Sequence, residues 1–93
     1  IALLGMEGLE TRYYVRVTVS DRPGVLAQLA RALGDHGVSI AAVSQKEADA
    51  DARTAELVIM THRAREQAML GALREFEAMD VVVAVDAFLR VEG

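Results

Sequence analysis

The 93-residue chain repeats its own apolar pattern after 43 positions, and that repetition narrows the choice of fold more than any other feature. The stripe Val25, Leu26, Leu29, Ala30, Leu33 maps without a gap onto Ala68, Met69, Ala72, Leu73, Phe76. Val15 and Val17 map onto Val58 and Met60, and Val38 and Ile40 onto Val81 and Val83. Each stripe has helical spacing, and each is flanked by residues that alternate with period two, as strands do. Tyr13, Val15, Val17 and Val19 alternate against Tyr14, Arg16 and Thr18, which predicts a half-buried strand. Gly37 ends the first helix as a left-handed cap. Val38 and Ile40 open a second strand whose alternation slips at Ala41–Val43, the mark of a bulge.

Glu47 to Ala52, EADADA, reads as a polar connector. Arg53 to His62 forms a third strand, and Val81, Val83, Val85, Ala87, Leu89 and Val91 a long final one. The order β-α-β-β-α-β, as two split β-α-β units, gives an α+β ferredoxin-like sandwich. Its expected form is a four-stranded antiparallel sheet with both helices on one face. Ile1 to Arg12, with two glycines and no clean period, reads as a linker or the tail of a preceding domain, leaving 13–93 as the folded unit. A first residue other than Met suggests a piece of a longer protein.

Repetition also supplies an internal control for one local feature. Both halves need a strand-to-helix corner, yet only the first reads Ser20-Asp21-Arg22-Pro23-Gly24. In the second, Ala64, Glu66 and Gln67 stand where Asp21, Pro23 and Gly24 stand in the first, so the fold does not demand this corner twice. Pro23 suits a first helical turn, where a missing N–H costs nothing. The amides of Gly24, Val25 and Leu26, with the positive end of the helix dipole, form a small anion receptor. Asp21 either caps those amides or accepts hydrogen bonds from a ligand ammonium. A corner offering amides to a carboxylate and a carboxylate to an amine suits a free amino acid; the plain alternative is a corner that only starts a helix.

Composition excludes several rivals. Net charge is −4, with a pI near 5.0, which disfavours nucleic acid. RNA recognition on this fold also needs stacked aromatics on the open sheet face, where only Tyr14 is placed. An acylphosphatase-like enzyme would pair Arg22 with an Asn, and the chain has no Asn. Cysteine is absent, and neither His36 nor His62 has neighbours at metal-ligand spacing, so no metal site is expected. Glu47, Asp49 and Asp51 lack the glycine and spacing of a calcium loop. Met60, Met69 and Met79 read as core filler. No apolar run approaches the roughly 18 residues of a membrane span, and a cytoplasmic location is expected. The apolar fraction, 53%, is high for a small monomer and suggests a covered face.

Taken together, V-S-D-R-P-G-V-L-A-Q-L-A and G-V-S-I within this element order resemble an ACT domain, the amino-acid-sensing module of metabolic enzymes. TRYYVRVTVSDRPGVLAQLA, GVSIAAVSQKE, AELVIMTH and FLRVEG resemble most the C-terminal ACT domain of homoserine dehydrogenases. The resemblance implies an effector bound between two copies, beneath the first loop of one and against strand two of the other. It implies Asp21, Arg22, Gly24, Val25, Leu26, Ser39, Ile40 and Gln45 as ligand-binding residues. Ser39 departs from the Asn of many members. It further implies a homodimer or higher homo-oligomer and a non-catalytic role. Threonine is the leading effector, and NAD(P) belongs to the parent enzyme, not to this domain. Other parents, such as phosphoglycerate dehydrogenase or the acetolactate synthase regulatory subunit, and a non-binding dimerisation module, are the alternatives.

Overall fold

A computed structural model describes residues 10–91; the expected linker, up to Leu9, lies outside the described residues. The elements are β1 (Glu10–Ser20), α1 (Val25–Asp35), β2 (Ile40–Asp49), β3 (Thr54–Thr61), β4 (Ala64–Arg65), α2 (Glu66–Ala78) and β5 (Val82–Val91). All pairings are antiparallel: β2 lies beside β3, β3 beside β1, and β5 along the other side of β1. The expected sandwich is present, with five strands among the described residues instead of four. The additional one, β4, has two residues and pairs Ala64 and Arg65 with Thr11 and Glu10. It exists because β1 begins at Glu10, three residues ahead of the expected start, and reaches past the end of β3.

Alternation on β1 buries Tyr13, Val15, Val17 and Val19 beneath the helices, none more than 2% exposed. Ala55, Leu57, Ile59 and Thr61 do the same on β3. The α1 stripe buries Val25, Leu29, Ala32 and Leu33, and α2 buries Met69, Gly71, Ala72 and Phe76. Both stripes join one core with the sheet, so the helices share a face. Thr61, the buried polar residue among those described, accepts the Tyr13 amide on Oγ1 at 3.0 Å. At that end of the sheet Tyr13 stacks on Phe88, with centroids 5.1 Å apart, beneath an ion pair between Arg90 of β5 and Glu66 of α2. Burial raises the Tyr13 phenol above its ordinary value; the Glu66 carboxylate adds to the rise and Arg90 opposes it.

Gly37 is left-handed, φ +76°, as its position after α1 predicts. The Val38 amide donates to Leu33 O at 2.9 Å and the Gly37 amide to Gly34 O at 2.9 Å, a Schellman closure. The bulge in β2 falls where the alternation slips, between Ile40 and Ala42. The first half of the expected connector EADADA is strand, since β2 runs to Asp49. Asp49 Oδ1 accepts the amides of Asp51 and Ala52, and this side-chain turn closes the hairpin. On β5, register shifts opposite Arg16/Val17 and Thr18/Val19 break the expected face. Val82, Val85 and Phe88 pack on the core, while Val83 and Leu89 point out. Met60 and Met79 are half-buried, so of the three methionines expected in the core only Met69 is fully enclosed.

Gly71 of α2 lies against the side chain of His36, the residue that caps the end of α1. A Cβ there would stand 2.7 Å from His36 Cε1 and Nδ1, and the same imidazole reaches Glu75 with Nε2–Oε2 at 2.6 Å. His36, a lone histidine in the sequence, is thus a clasp between α1 and α2. Gly71→Ala gains about 0.5–1 kcal/mol of helix propensity but expels the imidazole and forfeits a contact of similar worth. No net gain is expected in the native background. With His36→Ala beneath it, the same change should raise the melting temperature by about 2–8 °C. Thermal unfolding of the four proteins in the cycle checks this, and equal effects of Gly71→Ala in both backgrounds would remove the clasp.

Candidate functional site

The corner grows from the last residue of β1. Asp21 donates its amide to Arg53 O at 2.8 Å, which ties the corner to the β2–β3 hairpin, and Arg22 donates to Ser20 O at 3.0 Å. Gly24 follows at φ +85°, ψ −6°, and caps α1. Those angles are the third position of a type II turn, with Pro23 before it. Pro23 therefore precedes the helix, against the expectation that it occupies the first turn. A Cβ on Gly24 would meet nothing within 4 Å, so it is the left-handed backbone that calls for glycine here.

No side chain caps α1, so Asp21 is not its cap. The first-turn amides, which lack helical acceptors by geometry, are left to solvent or ligand. α1 also has no acidic residue in its first turn to quench the dipole. Asp21 and Arg22 are exposed. Val25 is 4% exposed and belongs to the core, so only its backbone is available to a ligand; Leu26, at 44%, presents an apolar side chain beside the amides. On the open side of the sheet end, Ser20, Asp21, Arg22, Ala52, Arg53, Thr54 and Val83 line a depression of about 520 Å³. Arg53 was not anticipated from sequence. It is a non-glycine residue at positive φ, +58°, and its carbonyl fixes Asp21. The Asp-Ala-Asp-Ala-Arg run before β3 is the turn signal that points to it.

The structure does not bring the remaining predicted residues to this corner. Ser20 pairs with Thr54 and Thr54 with Asp49 at one end of the sheet, whereas Ile40 pairs with Thr61 near the other. Seven strand steps separate those levels, roughly 23 Å. Ser39 is exposed and accepts the His62 amide on its carbonyl at 2.9 Å; Ile40 is half-buried. Gln45 lies between the two ends, opposite Leu57, on a β2 edge that has no neighbour among the described residues. The second corner is built differently: Arg65, the last residue of β4, caps α2 in an extended conformation, φ −79°. Strand pairing there does the positioning that the left-handed turn does at the first corner. No three His, Asp or Glu side chains converge to hold a metal among the described residues.

Residues 13–78 match the family model described as ACT domain. The chain is 37% identical over 90 residues to a homoserine dehydrogenase of Pseudomonas aeruginosa, covering 97% of this chain and 21% of that protein. It is 38% identical over 82 residues to the homoserine dehydrogenase of Corynebacterium glutamicum, covering 88% and 18%. The crystal structure of a homoserine dehydrogenase from Thiobacillus denitrificans superimposes with a TM-score of 0.79 at 36% identity, over 94% of this chain and 19% of that one. An ACT domain of a GTP pyrophosphokinase from Chlorobium tepidum shares the fold, with a TM-score of 0.63 at 11% identity, over 88% and 99%. The chain spans about a fifth of the length of its curated relatives.

Proposed function

The chain belongs to the ACT domain family, as a regulatory domain homologous to part of the homoserine dehydrogenases, and on that premise we propose that it senses a free amino acid, threonine first among them. The observation that carries the reading is the uncapped start of α1 beside a free carboxylate. No side chain caps the start of α1, so the amides of Gly24, Val25 and Leu26 are open to a carboxylate. The exposed Asp21, three residues before Gly24, is the group to take an ammonium. The parent's NAD(P)-dependent chemistry on aspartate semialdehyde is assigned to residues outside this chain, in the cytoplasm, and the domain itself holds no cofactor.

The distance between the corner and Ser39 supports a site completed by a second copy. Antiparallel pairing of β2 with a partner's β2, centred on Ser44, sets the partner's Ser39 level with Asp49, at the corner end of the sheet. Such pairing also satisfies the free backbone groups of the β2 edge. Ser39 and Ile40 then meet the effector from the neighbour, while Gln45 falls level with Val43, roughly 20 Å short of the corner. Leu26 and Ile40 supply apolar walls beside the Ser39 hydroxyl. That mixture favours a short side chain bearing both a hydroxyl and a methyl group.

A thermal-unfolding panel of free amino acids tests the assignment. A ligand at a hundredfold excess over Kd stabilises the folded state by about 2.7 kcal/mol, which for a domain this size is on the order of 10–20 °C. Threonine should raise the melting temperature more than valine or serine, and Asp21→Ala should lose most of that rise. A lead for valine or serine points to another biosynthetic parent. A flat panel leaves the domain as a dimerisation module, the reading favoured by Gly24, whose left-handed backbone the turn alone accounts for.

A further inference from the structure

We propose that the open face of the sheet docks a second copy of this chain, sheet against sheet, an interface separate from the β2 edge. Strand register places Ala42, Met60, Tyr14 and Leu89 in a single row, one from each of β2, β3, β1 and β5. Leu89 is 57% exposed, Ala42 is exposed, and Tyr14 and Met60 are half-buried. The adjacent row holds Ser44, Val58, Arg16 and Ala87. An apolar band crossing all four long strands, with no helix over it, is unusual on a surface left to water.

The order of residues in the band identifies the occupant. A two-fold axis along the strands, between β1 and β3, lays each copy's β1 over the partner's β3 and its β5 over the partner's β2. Leu89 then covers the partner's Ala42, large against small, and Tyr14 covers the partner's Met60, an aromatic ring on a thioether. Arg16 falls over the partner's Val58, one strand repeat from the partner's Glu56. Within one copy Arg16 Nε is shielded from water yet has no hydrogen-bond acceptor, its ion partner Glu56 Oε2 standing at 3.8 Å. A shielded, unpaired guanidinium nitrogen beside a carboxylate too distant to satisfy it is completed by the second Glu56 that this symmetry delivers. Four strands about 4.8 Å apart and roughly 25 Å long give ~500 Å² per copy, ~1,000 Å² in all, near the lower limit for a specific interface. Association through this face is therefore concentration-dependent.

Sedimentation of the 93-residue chain from micromolar to millimolar concentration tests the proposal. Leu89→Glu should halve the mass reached at the upper end, with the circular dichroism spectrum retained; Leu89→Ser serves the same purpose if the first variant does not fold. Arg16→Glu and Glu56→Arg should each halve it as well, and the double reversal should restore it. Edge and face together give a tetramer that Leu89→Glu reduces to a dimer, and the face alone gives a dimer reduced to a monomer. A wild-type mass that Leu89→Glu leaves unchanged, or a double reversal that fails to restore association, overturns the proposal. The amino-acid panel reads the sensing function independently, because Leu89 lies at the opposite end of the sheet from the corner.

Discussion

Gly24→Asp should abolish most of the amino-acid response while leaving the domain folded. Gly24 sits at φ +85° with open space where a Cβ would go, so the substitution meets no steric clash. Its cost is backbone: a left-handed residue other than glycine loses about 1–2 kcal/mol, least for Asp and Asn. The new carboxylate lies against the start of α1, and the helix dipole returns about 0.3–1 kcal/mol of that. The same carboxylate occupies the amides that would receive a ligand's. Two such charges about 4 Å apart repel by ~4 kcal/mol at the effective dielectric of a protein surface, and even a third of that is a tenfold loss of affinity. Gly24→Ala is the informative companion. It bears the full left-handed cost, lowering the melting temperature by about 4–16 °C, but leaves the amides open and should keep its ligand-induced rise. A wild-type response from Gly24→Asp in titration calorimetry would move the receptor elsewhere.

Phe76→Ala should have the largest effect on stability. Phe76 is fully enclosed in the second half of α2, between the sheet and α1, and with Tyr13 heads the buried side chains by volume. Removing a buried phenyl ring costs about 3–5 kcal/mol, from lost transfer energy and the cavity left behind. A chain of this length has roughly 5–14 kcal/mol in total, so a drop of 12 °C or more in melting temperature is expected. The repeat sharpens the comparison: Leu33, the equivalent residue in α1, is equally buried, and Leu33→Ala should cost about 2–5 kcal/mol. Denaturant titration of both variants measures the two halves against each other. A Phe76→Ala protein as stable as the native one would mean the core closes elsewhere.

Legibility in the sequence followed the clarity of the period. β1 carries its aliphatic residues at one parity only, so its buried face could be read directly. β3 adds Val58 and Met60 at the other parity, and Val58 is itself only 6% exposed. β5 carries apolar residues at both parities, in Val-Val-Val-Ala-Val, and no periodicity argument can locate the two register shifts that turn Val83 and Leu89 outward. Two residues of β4 leave no periodic trace; that strand arises from the reach of β1 alone. Arg-Pro-Gly-Val did carry its signal, because Pro-Gly is the natural centre of a type II turn, but a helix-start reading of Pro23 competed with it. His36 was opaque for a different reason: its partners Gly71 and Glu75 are 35 and 39 positions away, and only the packing of α1 on α2 joins them.

Arg12 pairs with Val91, and Thr11 Oγ1 donates to Val91 O at 3.1 Å. The path into the fold and the path out of it are therefore side by side, at the pole of the sheet farthest from Gly24. A unit wired in this way behaves as a cassette. Spliced into a surface loop of an unrelated host, it spans almost no gap, and its seam stays clear of the corner that would read the amino acid.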